Sequence, residues 1–201
     1  MSPARPVVLA LVLLTLGCAA TRDPSVVSLE QVTRSVSAPE GLPRSSGSRG
    51  IADGELPAGT TAYDDHPGVA RLDRRLLQQL RAATDDASAA GVGVVVTSGW
   101  RSRAYQTLLF EEAVAERGSE SAAAAWVARP GTSVHEAGAA VDIGPYAAID
   151  WLVQHGADLG LCQVYANEPW HFELDPDAQD RGCPPLYDDP TEDPRLSPAG
   201  G

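Results

Sequence analysis

Residues 92–117, VGVVVTSGWRSRAYQTLLFEEAVAER, join two patterns of different period and decide the fold class. The β-branched run from Val92 to Thr97 predicts a short buried strand. Apolar residues then recur at helical spacing along residues 103–117, which predicts a helix that Gly118 terminates. These apolar residues are Leu109, Phe110, Ala113 and Val114. The junction between strand and helix carries Arg101, at a position where ligands are commonly held.

The same two patterns continue on both sides of this stretch. Upstream, apolar residues at helical spacing between Leu72 and Ala87 predict a helix that ends at Gly91. Downstream, Ser119 can cap a short helix that runs through Ala128. The remaining predicted elements are a strand at 139–143, a helix at 147–159, and strands at 163–166 and 170–174. This mixed order predicts an α+β fold, a single compact domain with a small sheet against helices.

Composition and charge exclude one broad class of function. The chain has 201 residues, with 15 basic residues against 27 acidic ones, a net charge of -12 and a pI of about 4.6. No basic cluster is present that would neutralise phosphates, so nucleic-acid binding is not expected.

The N-terminus resembles an export signal. Arg5 precedes an apolar run from Val7 to Leu16, and small residues follow. Residues 14–18, LTLGC, resemble the lipobox of bacterial lipoproteins, in which Cys18 would carry the lipid. Cleavage of an ordinary signal peptide after Ala20 is the alternative. Either route predicts an extracytoplasmic protein. Lipidation of Cys18 would anchor it at the outer face of the cell membrane, as its one contact with the membrane, whereas cleavage after Ala20 would release it as a secreted protein.

Two cysteines remain for the folded domain, Cys162 and Cys183. An even number of cysteines in an oxidising compartment predicts a disulfide between them. Zinc ligation by these thiols is the alternative, although no second thiol pair accompanies them.

Composition also predicts the domain boundaries. We expect a signal peptide over 1–20, a flexible linker over 21–58, the folded domain over 59–183, and a disordered, acidic and proline-rich tail over 184–201. A monomer is the default expectation.

Two segments contain the residues best suited to metal chemistry. Residues 133–142, SVHEAGAAVD, contain His135 and Asp142, and residues 167–174, NEPWHFEL, contain Glu168 and His171. Two imidazoles and one carboxylate form a ligand set that suits zinc, and three protein ligands leave a fourth position for water.

Glu168 is then a candidate general base for that water. Its offset of three from His171 would put the two side chains on opposite faces of a regular strand, so a kink is required, and Pro169 is a plausible cause. Arg101 can bind a carboxylate through two parallel hydrogen bonds.

Each of these residues also has a purely structural interpretation. A histidine between Trp170 and Phe172 is commonly a packed core residue, an aspartate at a strand end is commonly a turn former, and Arg101 could be a surface residue. We assign His66 to a loop and His155 to a helix end.

The three segments together resemble the signatures of the VanY-type D-alanyl-D-alanine carboxypeptidases, zinc peptidases of bacterial cell-wall metabolism. The resemblance rests on SGWRSRAYQ at 98–106, SVHEAGAAVD at 133–142 and EPWHF at 168–172. It implies a small antiparallel sheet that cradles the metal. It further implies that one zinc ion is bound by His135, Asp142 and His171, that Glu168 is the catalytic base, and that Arg101 binds substrate and stabilises the tetrahedral intermediate. Gln106 and Ser133 fall at positions that line the substrate pocket in relatives.

The resemblance implies hydrolysis of the C-terminal D-alanine of peptidoglycan stem peptides. Two alternatives stay open from the sequence. A related fold could act as an endopeptidase or as an L,D-carboxypeptidase on the same wall, or the chain could be a non-catalytic wall-binding lipoprotein.

Overall fold

The computed structural model describes residues 50–196, in which six α-helices surround a four-stranded antiparallel sheet. The helices are α1 (Pro67–Ala70), α2 (Arg74–Ala89), α3 (Arg103–Arg117), α4 (Glu120–Ala124), α5 (Tyr146–His155) and α6 (Ala178–Arg181). The strands are β1 (Val95–Ser98), β2 (Ala140–Gly144), β3 (Leu161–Gln163) and β4 (His171–Leu174). The predicted α+β class with a single small sheet is confirmed.

The two long helices form where the sequence predicts them. Asp73 caps α2, since its side chain accepts hydrogen bonds from the backbone N–H groups of Arg75 and Leu76. Ser102 caps α3 in the same way, and Gly118, at φ 82°, ends it in the left-handed conformation. The observed bounds of α3 are those that the sequence predicts.

The downstream elements differ from the prediction in their limits. The helix predicted over 147–159 is α5 followed by a 3-10 turn at Gly156–Leu159. The strand predicted over 163–166 lies earlier, as β3 at Leu161–Gln163. Tyr165 leaves that strand and forms an isolated bridge with Tyr187, a pairing that no local pattern encodes.

The strands are ordered β1-β2-β4-β3. In the central pair, Asp142 lies opposite His171 and Val141 lies opposite Phe172. Because side chains alternate along a strand, these two pairs project to opposite faces of the sheet.

One face of the sheet carries the hydrophobic core. Val141 and Phe172 are buried there among residues of α2 and α5, such as Leu76, Leu80 and Leu152. The other face carries Asp142 and His171, so the same alternation that buries the core also gathers polar groups on the opposite surface.

The predicted disulfide is present. The sulfur atoms of Cys162 and Cys183 are 2.03 Å apart, and the bond closes a loop with a sequence separation of 21. Cys162 lies on β3 opposite Glu173 of β4. The bond therefore attaches the chain beyond residue 183 directly to the sheet.

The prediction of a disordered tail is wrong for residues 184–196. Asp193 is only 1% exposed and accepts a hydrogen bond from the Tyr165 hydroxyl. Tyr187 pairs with the backbone of Val164 and Ala166. The segment is ordered by contacts with residues distant in sequence, which its acidic and proline-rich composition does not reveal.

The predicted linker also ends earlier than expected. Residues 50–58 lie in the fold, and both the backbone carbonyl and the side chain of Asp53 accept hydrogen bonds from Ser102, the cap of α3. The signal peptide, the lipobox at Cys18 and linker residues 21–49 lie outside the described residues. Within 50–196, no helix combines the length and apolar character needed to cross a membrane.

Removing the disulfide should lower the free energy of unfolding without changing the sheet. Closing a loop of this length stabilises a fold by about 3 kcal/mol in the chain-entropy account. We expect the double variant Cys162→Ser and Cys183→Ser to have a free energy of unfolding lower by about 3 kcal/mol, measured by urea unfolding with circular dichroism. A reduced wild-type sample serves as the control, and equal stability of oxidised and reduced protein would contradict the expectation.

Candidate active site

His135 is presented by a short 3-10 turn, Val134–Ala137, which Gly138 closes at φ 70°. A Cβ at Gly138 would lie 2.3 Å from the carbonyl oxygen of Arg71, so only glycine fits this position. The Nδ1 of His135 is 2.8 Å from the carbonyl oxygen of Gly99. Because a carbonyl only accepts, Nδ1 carries the proton, and Nε2 is left with a free lone pair.

His171 is oriented in a similar way by its neighbour on the strand. Its Nε2 is 3.2 Å from Oε1 of Glu173, two residues along β4 and on the same face. Burial opposes the ionisation of Glu173, but hydrogen bonds from His171 and Arg195 hold the pKa of that carboxyl below its usual range. The ionised carboxylate accepts a hydrogen bond from Nε2–H, which leaves Nδ1 of His171 as the donor atom for a metal.

Three atoms converge where these side chains meet. His135 Nε2 and His171 Nδ1 are 3.2 Å apart, and Asp142 Oδ1 lies 3.5 Å from the first and 3.3 Å from the second. For bonds of about 2.0–2.1 Å at tetrahedral angles, two zinc ligand atoms lie about 3.3–3.4 Å apart. The observed triangle therefore has the size that one zinc ion requires.

The surroundings of Asp142 suit contact with a cation. Its Oδ1 is buried and has no hydrogen-bond partner, although its Oδ2 accepts from Arg101 at 2.7 Å. Burial opposes ionisation, yet His135, His171 and Arg101 hold the pKa of Asp142 well below its usual range. A buried, ionised oxygen without a partner is costly unless a positive ion contacts it. His135, Asp142 and His171 can thus hold one metal ion.

Glu168 lies beside this cluster without belonging to it. Its Oε2 is 3.8 Å from Nδ1 of His171, and the residue is 8% exposed. The backbone N–H of His171 bonds to the Glu168 carbonyl at 3.0 Å, which forms a turn through Pro169. The expected kink is present, and β4 begins only at His171. Burial raises the pKa of Glu168 to about 7.

Arg101 reaches the cluster from the junction between β1 and α3. Its Nη2 donates to Asp142, its Nε donates to Ser98 Oγ at 2.8 Å, and its Nη1 donates to Gln106 Oε1 at 3.2 Å. These bonds use three of the five N–H groups of a guanidinium. Arg101 thus fixes Asp142 and retains two donors for a further partner.

Ser133 and Gln106 differ in position. Ser133 lines a cavity of about 280 Å³ over the cluster, and its contact with substrate stays a prediction. Gln106 does not line it, because its side chain is fully buried and its Nε2 donates to the Ala128 carbonyl at 2.7 Å. The expectation of direct substrate contact by Gln106 is therefore not met in this structure, and the residue instead supports Arg101.

The cavity joins the cluster to a partly apolar wall. His135, Asp142, Glu168 and His171 lie along it together with Arg101. The lining also includes Leu109, Glu112, Glu116, Trp126, Pro190 and Leu196.

Sequence reasoning missed four residues around His171. Glu173 shares a strand face with His171, so the period of two was a usable signal for it. Asp193 and Arg195 had no local signal because they come from the segment expected to be disordered. Tyr165 had none because its hydroxyl bonds to Asp193 of that segment.

The chain matches a known family over the part that forms the site. The sequence model of the VanY family, described as D-alanyl-D-alanine carboxypeptidase, matches residues 69–176. This span covers more than half of the chain and contains all of the site residues discussed so far except Pro190, Asp193, Arg195 and Leu196.

Individual relatives agree with this match. A D-alanyl-D-alanine carboxypeptidase of Enterococcus faecalis (strain ATCC 700802 / V583) is 35% identical over 127 residues, with 51% of this chain and 47% of that protein covered. The chain therefore spans about half the length of this relative.

Two solved structures are similar. A VanY D,D-pentapeptidase variant from a VanB-type vancomycin resistance cassette, in complex with Zn(II), is 33% identical, with 51% of this chain and 72% of that chain covered at a TM-score of 0.48. The LdcB LD-carboxypeptidase is 23% identical, with 66% of this chain and 74% of that chain covered at a TM-score of 0.52, and this likeness concerns the fold alone.

Replacing one of the three ligands should abolish tight metal binding. We expect His171→Ala to weaken zinc affinity more than about 100-fold, since loss of an outer partner alone costs about 10–100-fold. Zinc content after dialysis, measured by mass spectrometry, would fall from one ion per chain to a trace. His155→Ala is the matched control, because His155 lies at the end of α5, outside the cluster. Full zinc content in the His171→Ala protein would contradict the assignment.

Proposed function

The chain belongs to the VanY family of D-alanyl-D-alanine carboxypeptidases, and from this premise we propose that it is a zinc-dependent carboxypeptidase. Its substrates are peptidoglycan stem peptides, from which it removes the C-terminal D-alanine. One observation carries the proposal: three donor atoms form a triangle of zinc-ligand size beside a buried carboxylate that is not itself a ligand.

The donor set indicates the metal and its task. Two imidazole nitrogens and one carboxylate oxygen, from His135, His171 and Asp142, suit zinc and leave one position open. Zinc bound there would polarise a carbonyl and lower the pKa of a water molecule to about 7. The protein's contribution is to fix the three ligands and to hold the reacting groups around them.

Glu168 serves as the general base in this proposal. A base works best when its pKa lies near the working pH, and burial raises the pKa of Glu168 to about 7. Its position next to His171 allows it to take a proton from an attacking water molecule and later to deliver that proton to the departing amine. The amide C–N bond breaks, and the water supplies a hydroxyl to the carbonyl carbon and a proton to the nitrogen of the released D-alanine.

Arg101 binds the substrate's terminal carboxylate and stabilises the oxyanion. Its side chain lies at the cavity, and its bonds to Ser98, Gln106 and Asp142 hold the guanidinium plane in place before substrate arrives. Preorganised donors of this kind lower the barrier because they need no rearrangement during the reaction. The two remaining N–H groups are available to the substrate's carboxylate and to the oxyanion, in a planar arrangement that a lysine could not reproduce.

The substrate lies outside the cytoplasmic membrane in this proposal. Support comes from the resemblance of the N-terminus to an export signal and of residues 14–18 to a lipobox, in which a lipid on Cys18 would tether the enzyme to the outer face of the membrane. The disulfide of the folded domain agrees with an oxidising compartment.

Removing the proposed base should separate catalysis from metal binding. We expect Glu168→Gln to retain one zinc ion per chain and to lower kcat about 10²–10⁴-fold, because the group that accepts the proton is lost and the ligands are not. The measurement is release of D-alanine from a pentapeptide stem, beside zinc content of the same sample. Glu111→Gln, an exposed position on α3, is the control. Wild-type turnover in Glu168→Gln would refute the assignment of the base.

The identity of the cleaved bond can be read from muropeptide digests. We expect the enzyme to remove one terminal D-alanine from a pentapeptide stem, as measured by mass spectrometry. Treatment of the enzyme with a chelator should stop the cleavage, and added zinc should restore it. Cleavage inside the stem or cross-bridge would indicate an endopeptidase, and shortening of a tetrapeptide would indicate an L,D-carboxypeptidase. If added zinc restored hydrolysis of none of the stem peptides, the result would indicate a non-catalytic wall-binding protein.

A further inference from the structure

Residues 184–196 are here called the C-terminal segment. Through Arg195, this segment reaches the cluster formed by His135, Asp142 and His171. We propose that Arg195 is a positioning residue for the metal ligand His171 and that it acts through Glu173. The inference rests on the proposed function, and it concerns a residue beyond the 69–176 span that the family model matches.

Arg195 contacts both oxygens of the Glu173 carboxylate. Its Nη1 donates to Oε2 at 2.7 Å and its Nη2 donates to Oε1 at 3.2 Å. Oε1 is also the oxygen that faces Nε2 of His171 at 3.2 Å. A two-point contact fixes the rotation of the carboxylate, and the fixed carboxylate fixes the ring of His171.

The guanidinium of Arg195 also forms hydrogen bonds with Asp193. Nε of Arg195 donates to the two carboxylate oxygens of Asp193 at 2.9 and 3.1 Å, and its backbone N–H donates at 2.9 Å. Asp193 is almost fully buried and also accepts a bond from the hydroxyl of Tyr165 at 2.8 Å. The ring of Tyr165 lies 5.0 Å from the ring of His171, so the contacts close into a loop around that ligand.

Burial explains why this ion pair matters when most surface pairs do not. An exposed arginine gains little from a carboxylate in water, and half of the Arg195 side chain is exposed. Glu173, however, is 8% exposed, and a buried carboxylate that loses its counter-charge is strongly destabilised. Without Arg195, nothing would fix the rotation of the Glu173 carboxylate, and His171 would lose the oriented acceptor that keeps Nδ1 available.

The fold holds the C-terminal segment in place independently of Arg195. The disulfide attaches Cys183 to β3, and Tyr187 forms backbone bonds with Val164 at 3.0 Å and Ala166 at 2.9 Å. A substitution at Arg195 should therefore leave the path of the chain intact while it removes the contact with Glu173.

The test measures zinc affinity as well as turnover. We expect Arg195→Met to weaken zinc affinity about 10–100-fold in competition with a chromophoric chelator, and to lower kcat at saturating zinc with little change in KM. Arg195→Lys should show a smaller loss, because it retains the charge but not the two-point contact. Arg181→Met, which breaks an exposed ion pair with Asp177, is the matched control and should bind zinc as the wild type does.

Combining Arg195→Met with a Glu173 variant shows whether the loss of zinc affinity depends on Glu173. In a Glu173→Gln protein, Arg195→Met should cause no further loss of zinc affinity, since the link is already broken. Additive losses in the double variant would overturn the proposal, as would wild-type zinc affinity in Arg195→Met. A change confined to KM would also overturn it, because Pro190 and Leu196 of the same segment line the cavity and would then be the parts that matter.

Failure of the proposed function would look different. A wild-type protein that binds zinc but hydrolyses no stem peptide would refute the carboxypeptidase, while the affinity series on Arg195 would still decide the positioning role. If Arg195→Met does not fold, Arg195→Lys and the near-isosteric Glu173→Gln supply the same comparison.

Discussion

The antiparallel pairing of β2 with β4 is the constraint on which the site depends. It sets Asp142 opposite His171 and so brings two of the three residues that can hold a metal ion, distant in sequence, onto one face of the sheet. The same register sets Val141 opposite Phe172 on the other face, in the core. A slip by one residue would exchange the two faces, bury the ligands in the core and expose the apolar residues. Core formation and ligand placement are therefore enforced by one pairing.

The cost of this arrangement is a concentration of buried negative charge. Asp142, Glu168 and Glu173 are each less than one-tenth exposed and lie around two histidines. Arg101 compensates Asp142 and Arg195 compensates Glu173. Among the described residues, no arginine forms a salt bridge with Glu168, and its pKa is the one that burial raises to about 7. The acid left without a fixed counter-charge is thus the one suited to exchange protons.

Much of the fold could be predicted because its signals are local. Ser102 and Gly118 mark both ends of α3, and the spacing of apolar residues marks α2. The three ligands were predicted from their residue types and from the family resemblance, and the structure brings them together. The order of residues 184–196 and the burial of Gln106 could not be predicted, since both depend on partners more than 20 positions away. Composition describes what a segment could bury by itself, whereas Asp193 is buried in contact with Tyr165, which lies 28 positions away, and with Arg195.

The outer contacts of the cluster show why arginine is the only basic residue that would serve at these two positions. Arg101 bonds to Ser98, Gln106 and Asp142 in one plane, and Arg195 spans Glu173 and Asp193. Each guanidinium bonds both to a carboxylate at or next to the proposed metal site and to further protein groups. Because it is planar, it fixes the orientation of that carboxylate as well as balancing its charge. A lysine would supply the charge at a single point and leave the carboxylate free to rotate. The two ligands that the sheet brings together, Asp142 and His171, are therefore each oriented from outside the sheet by an arginine, one at the start of α3 and one at the end of the described chain.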